Sequence, residues 1–164
     1  MSLSEYMIED IHPIDIVETL AEHHAWDFDR VGENQIAMAV EGQWRTYSIT
    51  LAWSGHDDTL RMVLSFEMEP PEDRLPELYE MINRTNDMCW TGAFGFWAEQ
   101  KLMVYRYGLL AGESGVCLDQ ITALIDAAVA ACERFYPAFQ LVGWGNASPQ
   151  AAIQTAIAEA YGRA

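Results

Sequence analysis

Histidine, cysteine and acidic side chains are the ones in this sequence that could hold a metal or move a proton. The histidines are His12, His23, His24 and His56. On a helix His23 and His24 would project ~100° apart, which keeps them from sharing one ion. No H-E-x-x-H pair occurs, so packing or surface roles are expected for all four. Cys89, Cys117 and Cys132 are odd in number and widely spaced, without C-x-x-C. Neither a zinc knuckle nor a redox pair follows from them. The "GHDD" stretch lacks the D-x-[DN]-x-[DN]-G order of a calcium loop and reads as a turn. "EMEPPED" gathers Glu67, Glu69, Glu72 and Asp73, which suit the positive end of a following helix. Acid–base work there would need a convergence that spacing does not supply. Ser114 in "GESG" is not on a G-x-S-x-G elbow. "GAFG" and "VGWGNAS" fall short of the nucleotide-binding glycine patterns. No catalytic residue, metal or cofactor is expected.

Amides and tryptophans stand out more. In "EDRLPELYEMINRTNDMCWTGAFGFW" an amphipathic helix gives way to a strand. Asn86 falls on the helix's apolar side, with Asn83 beside it. A buried amide must be hydrogen-bonded or it costs about 1–3 kcal/mol. A helix end offers partners, because its last carbonyls lack intrahelical donors. We therefore expect Asn83, Asn86 and Gly92 to brace the helix-to-strand corner; a ligand-binding amide is the functional alternative. The six tryptophans mostly suit a core. Trp44 differs, because the alternation puts it on a polar strand face with Thr46, Ser48 and Thr50. Trp144 sits between glycines. Tryptophan is enriched in binding hot spots, so Trp44 and Trp144 are the candidate partner-binding residues, with packing as the plainer role.

The elements that must position these residues follow from periodicity. "HPIDIVETLAEHHAW" is a helix with Pro13 in its first turn and Ile16, Val17, Leu20 and His24 on one face. "WDFDRV", "QIAMAV", "WRTYSITLAW" and "TLRMVLSFEM" alternate as antiparallel strands with one buried face. The second helix has apolar positions Leu75, Leu78, Tyr79, Ile82 and Cys89, with Met81 and Met88 to the side. The strands "TGAFGFWA" and "LMVYRYGLL" come next. A long helix spans 118–136, its stripe being Leu118, Ile121, Ile125, Ala128, Cys132 and Phe135, and Pro137 is expected to end it. "QLVGWGNASP" reads as a loop. Ser148 then caps a final helix, which would be the cover for the second face of the sheet if the chain were monomeric. The fold class is α+β, an antiparallel sheet with helices packed on it, in the order α-β-β-β-β-α-β-β-α-α.

The 164 residues suit a single domain, 1–164, with an N-terminal segment 1–10 and a helical extension 145–164. Asp and Glu total 25 against 9 Lys and Arg, for a net charge of −16. Such a chain repels nucleic-acid phosphates and anionic membranes. Free cysteines fit a reducing cytoplasm. The acidic start "MSLSEYMIED" lacks a basic n-region and an apolar core, so no signal peptide is expected, and no run approaches the ~20 apolar residues of a membrane span.

The helix ending "IN-x-x-N", the small-residue strand "TGAFGFW", the hairpin into "KLMVYRYGLL" and the long helix together resemble the YbjN family of bacterial sensory transduction regulators. The tail "FYPAFQLVGWGNASPQAAIQTAIAEAYG" is similar to that of alphaproteobacterial members. The resemblance spans about Ile14 to Gly162 and implies a type III secretion chaperone-like fold, often dimeric. It implies a non-enzymatic cytoplasmic regulatory or chaperone-like module that binds a protein partner, and a homodimer. The alternative is a small-molecule-binding or catalytic domain with a pocket between helices and sheet.

Overall fold

The computed structural model describes residues 11–162, with side chains through 158. The chain runs α1 (Pro13–His23), β1 (Asp27–Gly32), β2 (Gln35–Glu41), β3 (Thr46–Ser54), β4 (Thr59–Glu67), α2 (Leu75–Asn86), β5 (Ala93–Trp97), β6 (Leu102–Leu110), α3 (Leu118–Gly143) and α4 (Pro149–Gly162). That is the expected order. A short 3₁₀ turn, Glu72–Arg74, leads into α2.

Alternation builds the sheet. Ile36, Met38 and Val40 of β2, Tyr47, Ile49 and Leu51 of β3, and Leu60, Met62, Leu64 and Phe66 of β4 all point inward and are buried. The strands form one antiparallel sheet of six, ordered β1-β2-β3-β4-β6-β5. Ile14 and Val17 of α1, Ile82 of α2, and Ile121, Phe135 and Phe139 of α3 join the inward strand residues in one core. The helices thus serve one face. On the other face Ala37, Ala39, Thr50, Val63 and Ser65 are half-buried, and Ser48 is exposed.

Several expectations about the helices need correction. Pro137 does not end α3, which continues to Gly143, so only Trp144–Ser148 remains as the loop. Proline lacks the N–H that would bond the carbonyl four residues back. That carbonyl belongs to Glu133, and the Trp44 indole N–H replaces the missing donor at 3.1 Å. With this carbonyl satisfied, the helix tolerates its proline. Leu118, expected on the buried stripe, is 47% exposed in the first turn of α3. The buried stripe of α2 is Leu78, Met81, Ile82 and Thr85, while Tyr79 is exposed and Cys89 lies past the helix end. The period is the expected one, rotated by about one residue. In α1, Ile14 and Ala21 are buried with Val17 and Leu20, and His24 lies outside the helix, stacked on Trp26.

One correction and one placement concern the second face. Trp44 is not on a strand: it lies in the turn before β3. The final helix does not cover the sheet. It packs on α2 and α3, burying Ala152, Ile153 and Ala156. Ser148 does cap it, its Oγ accepting from the Ala151 N–H at 3.1 Å.

Candidate interaction surfaces

The helix-to-strand corner is built on one amide. Asn86, the last residue of α2, accepts from the Phe94 N–H at 2.7 Å and donates to the Phe94 carbonyl at 3.0 Å. Both groups of one strand residue point to the same side, so Phe94 turns them away from its β6 partner. The strand β5 is at an edge of the sheet. The Asn86 amide therefore stands where a further strand would pair, and closes the edge at that residue. A Cβ on Gly92 would lie 2.6 Å from the Tyr105 ring. Glycine there lets the ring pass under the connection, where the Tyr105 hydroxyl meets Thr91 Oγ1 at 3.0 Å. Asn83 is exposed, and its carbonyl accepts from the Asp87 N–H at 3.3 Å.

A second fixed point joins the β2–β3 turn to α3. The Glu133 carboxylate accepts from the backbone N–H of Gln43 at 2.8 Å and from the Tyr47 hydroxyl at 2.5 Å. Burial, then the bond to Glu133, holds the Tyr47 phenol well above its usual range. A Cβ on Gly42 would lie 2.6 Å from Tyr47 Cε2, so only glycine fits beneath the turn. Trp44 remains 43% exposed while its indole N–H is committed to Glu133. Trp144 caps the C-terminus of α3 through its own N–H to the Gln140 carbonyl at 3.0 Å, and is 46% exposed. The structure does not bring these two tryptophans together with the Asn86 corner.

A groove runs beside α3. Two adjoining clefts of about 220 and 250 Å³ share Thr91 and Tyr105 in their walls. Ala123, Ala127 and Ala130 give the helix side a low profile. Trp90, on the rim, is 94% exposed. At the same end lies Arg134, its guanidinium 4.9 Å over the Phe135 ring. Arg134 Nε is buried without a hydrogen-bond partner, and the residue makes no ion pair among those described. Burial raises the nearby Cys89 thiol above its ordinary range, opposed by the Arg134 charge. The face of the sheet that no described helix covers is the other large surface. Beside β1 it holds a shallow hollow of about 310 Å³, lined by Asp27, Asp29, Ala37, Ala39 and Thr50 among others.

Among the described residues no three His, Cys, Asp or Glu side chains are grouped as metal ligands would be. No helix among them is long and apolar enough to cross a membrane. A family model described as "YbjN: Putative bacterial sensory transduction regulator" matches residues 13–141. The chain belongs to the YbjN family. No curated protein sequence matches it. The YbjN match contains the Asn86 corner, the Glu133 clasp, the groove and the whole sheet, and it ends before Trp144 and α4.

Sequence reading of this YbjN chain missed Glu133, Arg134 and Trp90. Glu133 had a signal: an acid beside the core stripe, four residues before a mid-helix proline, leaves a carbonyl in need of a donor. Trp90 and Arg134 had none, because exposure and a missing counter-charge are properties of the folded surface.

Proposed function

We propose that this YbjN-family chain is a cytoplasmic, non-enzymatic regulatory or chaperone-like module that binds another polypeptide and acts as a homodimer. The observation that carries the reading is Trp90, 94% exposed on the rim of an apolar groove. An aromatic side chain left in water beside an unfilled cleft is a ready anchor for a partner. The groove's chemistry sets the partner's. Apolar side chains fit along the alanines of α3, and an acidic group fits Arg134, whose Nε is buried and unpaired. Its guanidinium has no ion-pair partner among the described residues and can receive an acidic group. The three free thiols, Cys89, Cys117 and Cys132, are compatible with a reducing cytoplasm.

The test is paired affinity capture from the source bacterium with wild-type chain and a Trp90→Ala variant, read by mass spectrometry. The reading expects a polypeptide retained by the wild type and lost from the variant. A small metabolite retained by the groove instead, with no polypeptide distinguishing the two baits, would overturn it.

A further inference from the structure

We infer that the face of the sheet that no described helix covers is where a second copy of this chain docks, with Asp29 of each copy against Arg106 of the other. The inference rests on the homodimer reading above and assigns it a surface, a symmetry and a charge pair.

The register aligns the relevant residues. Across the six strands Asp29, Ala37, Thr50, Val63, Arg106 and Ala93 pair successively in one line. The neighbouring outward line is Asp27, Ala39, Ser48, Ser65, Val104 and Gly95. Within these two lines, every side chain between the acids at one end and Arg106 towards the other is small or β-branched, while Glu41, Arg61 and Glu67 lie on the flanking lines. Faces of this kind pack closely, near the ~10 Å separation of stacked sheets. Val104, on β6 beside the edge strand, is 1% exposed although it lies outside the core cluster.

Charge selects the symmetry. A two-fold axis across the strands would lay β1 on β1, and Asp27 and Asp29 against themselves. An axis along the strands lays β1 and β2 of one copy over β5 and β6 of the other. Arg106 then enters the hollow lined by Asp27 and Asp29, twice in each dimer. Arg106 is exposed and makes no ion pair among the described residues. The other outward arginine, Arg61, is held locally by Asp57 at 3.1 Å.

The area suffices. Six strands at ~4.8 Å spacing and about 25 Å long give a footprint of roughly 700 Å², close to the ~800 Å² per partner of a stable interface. The net charge of −16 opposes association, but salt screens it beyond ~8 Å, and the opposed pair brings unlike charges into contact.

Sedimentation of the full chain tests this at micromolar concentration and physiological salt. The wild type is expected as a dimer. Arg106→Glu and Asp29→Arg should each weaken it about tenfold or more. The double variant, with the charges exchanged, should recover wild-type affinity to within about threefold. The two single variants move the net charge in opposite directions, so a bulk-charge effect would split them, whereas the ion pair predicts loss in both. Arg106→Ala and Asp29→Ala, checked by circular dichroism, serve if a reversal misfolds. A dimer indifferent to every one of these changes, bulk-charge behaviour of the single variants, or a double variant that stays monomeric overturns the inference while leaving the homodimer reading standing. Recruitment of a basic polypeptide to the hollow in place of a second copy overturns it too. A wild type that sediments at the 18.5 kDa monomer mass overturns both.

Discussion

The indole N–H of Trp44 donates at 3.1 Å to the Glu133 carbonyl, which Pro137 leaves without a helical partner. A proline in one element is thus compensated by a turn residue 93 positions earlier, and the same turn is held by the Glu133 carboxylate. The helix that walls the groove and the sheet that forms the open face are locked at this point.

Trp44→Phe keeps the ring and removes the donor. The Glu133 carbonyl then has neither the Pro137 N–H nor the indole. A loss of about 1–3 kcal/mol is expected, read as a lower urea midpoint with unchanged slope. An unchanged midpoint would mean that water takes over the indole's role.

Asn86 should be less forgiving. Asn86→Leu abandons both Phe94 groups and reopens the β5 edge, for a loss of about 2–4 kcal/mol and faster aggregation. Asn86→Asp can still accept from the Phe94 N–H but cannot donate to its carbonyl, so it should fall between wild type and Leu. Unfolding midpoints rank the three proteins, and light scattering during refolding reports the edge.

Thr85 offers a gain. It is fully buried, and its hydroxyl has no hydrogen-bond partner. Thr85→Val keeps the shape and removes the unsatisfied group, so stability should rise by about 1 kcal/mol. Thermal unfolding measures it, and a loss instead would show that the hydroxyl is bonded in solution.

Tyr47 sets an alkaline limit. Its phenol is raised above the ordinary value of 10.0, first by burial and then by Glu133. The folded state therefore keeps this proton longer than the unfolded state does. The resulting stability is whole below pH 10.0 and drains away as pH rises above it. Tyr47→Phe removes that term. Urea midpoints from about pH 8 to 11 should fall less steeply in the variant, after a loss of ~1 kcal/mol at neutral pH.

Much of the fold was legible because alternation and helical spacing are local. The inward residues of β2, β3 and β4 and the order of elements follow from them directly. The Asn86 amide was visible as an anomaly on an apolar side, although its specific partner, Phe94, required the fold. Pro137 misled, because the rule that proline ends helices assumes that no distant donor will rescue the freed carbonyl. Tyr79 and Met81 exchanged roles because a stripe read from sequence is uncertain by one position. The fate of α4 was beyond reach: its short apolar side fits helices or sheet equally, and only the assembled α2–α3 surface selects between them.

The groove beside α3 is proposed to bind a polypeptide with apolar side chains and an acidic group. Calorimetric titration of the captured partner into wild type, Trp90→Ala and Arg134→Glu tests it most directly. Saturable binding to the wild type and about tenfold or greater weakening in each variant are expected. Equal affinity for all three proteins would contradict it.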